Sequence, residues 1–146
     1  MSFTIRALPA GEPETPQVDA RTVVADDPGS YPCRRCLRDA EVGDRLLLLP
    51  YDPFLHASPY TGDGPVFVHA DGCEPHVPNG EVPPQLRSRL LAVRGYDEGS
   101  MMTTSDVVDG SRLEDMLEAA FSDPATAFAH VHFARPGCFA CRVDRC

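Results

Sequence analysis

Lysine is absent from this chain: every one of its 13 basic residues is arginine. Without an ε-amino group no Schiff base can form on the protein and no lysine can act as a general base. Positive charge of any kind is in short supply. The 13 basic residues face 22 acidic ones, for a formal net charge of −9. Non-specific binding to nucleic acid or to an anionic membrane needs clustered positive charge, so neither partner is expected, and no RNA- or DNA-binding motif is present. Long apolar runs are missing too. The longest, Leu46 to Leu49 with its neighbours, is far too short to span a bilayer. The opening segment MSFTIRALPAGEPETP has no charged stretch leading into an apolar one, so it does not read as a secretory signal. A cytoplasmic location is the expectation.

The chain has 146 residues, of which 42% are hydrophobic and 24% charged. That composition suits a single globular domain, residues 1–146, large enough to bury a core. Strands are expected at Phe3–Ala7, Arg21–Ala25, Asp44–Pro50, Val66–Ala70, Leu90–Tyr96 and Ser100–Val108. The four leucines of Asp44–Pro50 suit a strand buried on both faces. Gly11–Gln17 reads as a polar loop, Tyr51–Pro65 as an ordered Pro- and aromatic-rich loop, and Gln85–Arg89 as a short helical turn. The clearest helix is Ser111–Phe121, with Ser111 at the N-cap, Glu114 completing a capping box, and Leu113, Met116, Leu117 and Ala120 on one stripe. The fold class that follows is α+β: one small, mainly antiparallel sheet protein with one clear helix and a C-terminal hairpin.

Six cysteines in a reducing compartment point to metal ligation, redox chemistry or plain burial rather than to disulfides. Cys33-Arg34-Arg35-Cys36 lies between turn residues, where a CxxC can bring two sulfurs to one side of a zinc ion. Cys73, with His69 or His76, would complete a Cys₃His site. A redox role is the alternative, and inert thiols a third. Cys138 and Cys141 have the same spacing but a different setting. On a continuing strand, residues three apart point to opposite faces, so they should not share an ion.

The last twenty residues read as a hairpin, Ala127–Ala134 and Cys138–Arg145, around Arg135-Pro136-Gly137. With Ala134 and Cys138 flanking the loop, Phe133 opposes Phe139, His132 opposes Ala140, Val131 opposes Cys141 and His130 opposes Arg142. Ala129, Val131, Phe133, Phe139, Cys141 and Val143 then form an apolar face. His130, His132, Cys138 and Arg142 share the other. On that face Cys138 stands diagonal to His132 as nucleophile to base, with Arg142 as anchor for a carboxylate or phosphate; the two histidines could equally ligate a metal. Tyr60 and Asp106 are candidates to close over the face. A solvated face without chemistry is the plain alternative.

The segments PCRRCLRDAEVGDRLLLL, SPY…GPVFVHA, LRSRLLAVRGYDEGSMMTTSDVVDG and HVHFARPGCFACRVDR together resemble the bacterial domain of unknown function 1203 family, over about Phe3 to Arg145. The resemblance implies no activity, since the family is uncharacterised. It implies that Cys33, Pro59, Tyr60, Asp106, His130, His132, Gly137, Cys138 and Arg142 match the family pattern. It also implies that Cys36 and Cys141 are not general to it, so a zinc site using Cys36 would belong to a sub-branch. Three functions are therefore weighed. One is a small zinc-binding protein with a His/Cys/Arg pocket on the terminal hairpin. The others are a cysteine-dependent enzyme acting on a small anionic ligand, and an interaction module without catalysis.

Overall fold

Local sequence places eight strands and little helix, and the computed structural model describes residues 3–9 and 19–146. The loop expected over Gly11–Gln17 lies outside the described residues. The strands are β1 (Phe3–Arg6), β2 (Arg21–Val24), β3 (Arg45–Tyr51), β4 (Gly64–His69), β5 (Leu90–Tyr96), β6 (Met102–Asp109), β7 (Phe128–Phe133) and β8 (Phe139–Arg145). They form two antiparallel sheets. The larger has the order β1-β8-β7-β5-β6, and the smaller the order β2-β3-β4. Among the described residues no helix is long and apolar enough to cross a membrane.

The large sheet is covered on one face by two helices, α1 (Pro84–Arg87) and α2 (Leu113–Phe121). Leu113, Leu117 and Phe121 recur at helical spacing and are almost wholly buried, each contributing roughly 1.5–3 kcal/mol by leaving water. They pack on Leu91, Val93, Ala129, Val131, Cys141 and Val143. The helix start departs from the expected capping box. Gly110–Arg112 is a 3₁₀ turn leading into α2, and the Asp109 carboxylate caps it by accepting from the Ser111 amide at 3.0 Å. Glu114 does not reach back to the cap, because both its oxygens are taken by Arg87 at 3.0 and 2.7 Å.

Gly110 sits where that turn meets α1, its amide donating to the Arg89 carbonyl at 2.8 Å. A Cβ there would overlap the Leu86 carbonyl oxygen. Gly110→Ala is therefore expected to cost about 3 kcal/mol, read as a lowered urea midpoint. An unchanged midpoint would mean that α1 can move aside freely.

The other face of the large sheet carries Arg94, Tyr96, Phe128, His130, His132 and Phe139. The loop between β3 and β4 covers part of it, with Phe54 edge-on to both Tyr96 and His130 at 5.0 and 4.7 Å between ring centroids. Phe139 also joins a second apolar cluster with Cys33, Cys36, Leu49, Val66 and Val68, which ties the small sheet to the large one. The leucine run of β3 is covered on both faces, as the sequence suggests: Leu46 and Leu49, three apart and so on opposite faces, are both buried, Leu46 beside Ala25 and Ala40 and Leu49 beside Cys33 and Val66.

Candidate functional site

The CxxC segment is a tight loop before β3. The Leu37 amide donates to the Cys33 carbonyl and the Cys33 amide to the Arg38 carbonyl, both at 3.1 Å. Leu37 closes the loop in the left-handed region, with φ 55°, a conformation that costs a side-chain-bearing residue about 1–2 kcal/mol. A bridge from Cys33 to Phe67 of β4 docks the loop beside the strand that ends in His69. Cys73 follows from the turn at Gly72, where φ is 90°.

Cys33, Cys36, His69 and Cys73 converge in this way, each offering a ligand atom within 4.8 Å of the others. The Cys33 and Cys73 sulfurs are 3.8 Å apart, and Cys36 Sγ lies 3.7 Å from His69 Nδ1. His69 Nε2 is 3.1 Å from Asp44 Oδ2. That carboxylate accepts a hydrogen bond from Nε2–H and leaves the Nδ1 lone pair facing the sulfurs, the usual outer support of a ligating histidine. His76, the other candidate, turns away: its Nε2 donates to the Ile5 carbonyl at 3.2 Å.

The thiols do not titrate alike. Cys33 is pulled down to about 4 by the hydrogen bond from Cys36 and by backbone amides, against the opposing effect of burial. Cys36 is pushed up because it supplies that proton and is itself buried. Cys73 is raised by burial and by the neighbouring Cys33 charge. Three sulfurs this close cannot all ionise without a cation among them. One cation would resolve all three.

The terminal hairpin forms, with a different register near its turn. His130 opposes Arg142 and Val131 opposes Cys141, as expected, but His132 opposes Phe139 rather than Ala140. One extra residue, Ala140, sits in β8 as a bulge. Its side chain and that of Cys141 both enter the helix-side core, and Phe139 is thrown onto the histidine face. There it lies 5.2 Å from His130 and 5.9 Å from His132 between ring centroids. The expected assignment of Phe139 to the apolar face with Val131 is thus corrected.

His130 is fully buried, and both its ring nitrogens lack a hydrogen-bond partner among the described residues. Burial, with His132, Arg142 and Arg94 close by, pushes it down to about 3. His132 is lowered to about 4, first by burial and then by Arg94. Both are neutral imidazoles at pH 7.

The sequence pattern described as "Protein of unknown function (DUF1203)" matches residues 30–145. The chain belongs to this family. No curated protein and no solved structure matches it. In this DUF1203 chain the residues singled out on the hairpin come together only in part: His132 and Cys138 line one cavity, while His130 is buried beside it. Cys138 precedes β8 instead of standing diagonal to His132. Its sulfur accepts from Arg34 Nη2 at 2.9 Å, and no hydrogen bond joins it to either histidine among the described residues. Arg142 is engaged by Asp144 at 2.8 Å and lies 4.1 Å over the Phe128 ring. Asp106 is exposed and opposes Val93, a helix-side residue, so it cannot close over the histidines. Tyr60 does lie on this side, its ring 5.7 Å from Tyr96.

Cys141 is wholly buried in the helix-side core, and its thiol is pushed up to about 12 by burial. Cys141→Ala is expected to cost about 1 kcal/mol of packing and to leave metal content unchanged. Loss of metal in that variant would mean that the sulfur reaches a metal after all.

Two residues of this DUF1203 chain were missed in the sequence. Arg34 is fully buried, with Nε donating to the Phe139 carbonyl at 2.8 Å and Nη1 to the Pro32 carbonyl at 2.7 Å. It lies inside the CxxC, yet its side chain reaches across to the hairpin. Arg94 opposes His130 from β5. An arginine in the middle of the apolar strand LLAVRGY was the available signal.

Proposed function

We propose that this protein is a small cytoplasmic zinc protein in which Cys33, Cys36, Cys73 and His69 hold one Zn²⁺ as a closed, stabilising centre. Edge lengths support this reading most directly. A tetrahedron with Zn–S of about 2.3 Å and Zn–N of about 2.1 Å has S···S edges of about 3.8 Å and S···N edges of about 3.6 Å. The spacings here are 3.8 Å for Cys33–Cys73 and 3.7 Å for Cys36–His69. The donor set, three thiolates and an imidazole, is soft and favours zinc over magnesium or calcium. Four protein ligands leave no open position, which suits a structural rather than a catalytic ion.

Elemental analysis of anaerobically purified protein, with thiol counts before and after denaturation, tests the reading. About one zinc per chain is expected, with Cys33, Cys36, Cys73 and the buried Cys141 unreactive until unfolding. Metal-free protein whose CxxC thiols react freely would set zinc aside. Thiols still missing after denaturation would indicate a disulfide within the cluster instead.

A second reading, cysteine chemistry on a small anionic ligand, has one specific support. Cys138 opens on a cleft of about 800 Å³ whose lining includes Arg34, Arg89 and Arg135. Rapid alkylation of Cys138 alone at neutral pH would favour it; uniform slow labelling would count against it.

A further inference from the structure

Arg94 and His132 face a second cavity of about 250 Å³ between the large sheet and the β3–β4 loop, walled by Phe54, Tyr60 and Phe139 and adjoining the larger cleft at Cys138 and Pro136. Arg94 has no carboxylate partner among the described residues. One of its nitrogens, Nη1, stands 3.4 Å from His132 Nε2, and the guanidinium also reaches the Tyr96 hydroxyl. A half-buried guanidinium without a counter-ion is an unusual thing to leave in a protein of net charge −9.

His132 is prepared as an acceptor. Its side chain is more than nine-tenths buried, and Nδ1 lies 3.0 Å from the Gly137 carbonyl oxygen. A carbonyl only accepts, so the proton is on Nδ1 and the Nε2 lone pair faces Arg94. At 3.4 Å that contact is long for a hydrogen bond, and a ligand hydroxyl can replace it. Next to it, His130 is buried with both nitrogens unpartnered among the described residues, a second sign of polar groups arranged for more than packing. Arg94 and Arg142 act on His130, and Arg94 and Arg34 on His132. Arg94, the one of these without a carboxylate partner among the described residues that also lines the cavity, thus gives it a positive wall, with Asp63 as the one carboxylate there.

We propose that this cavity binds a small oxoanion bearing a hydroxyl group, with its charged oxygens on the Arg94 guanidinium and its hydroxyl donating to His132 Nε2. A hydroxycarboxylate and a monohydrogen or dihydrogen phosphate share this chemistry. Both fit the volume, and neither needs the zinc centre. Burial keeps the histidines neutral, and the arginine charge that adds to that effect also attracts the anion.

The test uses the full chain with ¹³C-labelled histidine, titrated with glycolate and with inorganic phosphate, each against chloride at matched ionic strength. A saturable shift of the His132 ring signals is expected from at least one probe at millimolar concentration. The tighter probe identifies the source, hydroxycarboxylate or phosphate. Arg94→Gln should weaken binding at least ten-fold with the amide spectrum otherwise retained, and Asp63→Asn should leave it unchanged or tighter. If Arg94→Gln does not fold, the proposal stands on His132→Gln, read by calorimetry, which should weaken binding while sparing zinc content. No saturable response to either probe, or undiminished binding in the folded variants, overturns the proposal.

Discussion

Cys36→Ser is expected to lower the melting temperature by about 10 °C or more and to cut zinc content to well below one per chain. Cys36 supplies one of four converging ligands, and a structural zinc site contributes on the order of 10 kcal/mol of folding free energy. Losing one thiolate forfeits several kcal/mol of that. For a chain of this size each kcal/mol moves the midpoint by roughly 3 °C. The damage should spread beyond the loop, because Cys33 and Cys36 pack with Leu49, Val66 and Val68 of the small sheet and with Phe139 of the large one. Cys146→Ser is the control: that thiol is exposed at the chain end, 2.9 Å from Thr4 Oγ1, and its loss should change neither quantity. Equal melting temperatures and metal contents for Cys36→Ser and the parent would remove the zinc centre from the account.

The strands of this fold are legible because turn residues bracket them and their apolar residues either alternate or, in β3, run unbroken. β1, β2, β5 and β7 lie within a residue or two of where the sequence puts them. The metal ligands were legible for a related reason. CxxC and HADGC are local patterns, and only their meeting is tertiary. What escaped is what a single inserted residue or a neighbouring strand decides. Nothing in CFACRV announces that Ala140 bulges, yet that residue moves Phe139 from one face to the other. Arg142 was chosen as the anion anchor because it opposes His130 in the hairpin, and it does. Asp144, two residues on, already neutralises it. Arg94 opposes the same histidine from the other side, through a pairing between strands more than thirty residues apart that no local pattern encodes. The helix cap differs more simply: Asp109 takes the cap position, accepting from both the amide and the hydroxyl of Ser111, and Arg87 draws Glu114 away.

His130 should make the protein acid-sensitive in a window set by its own titration. Its folded-state value is held near 3 by burial, against about 6.5 in an unfolded chain. The unfolded state therefore takes up the proton first. The stability from keeping the ring neutral is complete above about pH 6.5 and is lost as pH falls toward 3, at about 1.4 kcal/mol per pH unit. His132, lowered to about 4, adds a parallel loss over a slightly shorter range. His130→Leu removes the first contribution and keeps the second. It also removes two unpartnered nitrogens from among Phe54, Tyr96, Phe128 and Phe139. The variant should match or exceed the parent by about 1 kcal/mol at pH 7 and exceed it by roughly 3 kcal/mol at pH 5, measured by urea unfolding at each pH. The substitution lies outside the Cys/His cluster, so any metal lost from that cluster on acidification is common to both proteins and the difference between them isolates the ring. Parallel stability curves would show that His130 finds a partner in solution and is not held neutral. A widening gap would show that a buried imidazole costs this fold stability, which is what a group placed for a ligand beside Arg94 and His132 would do.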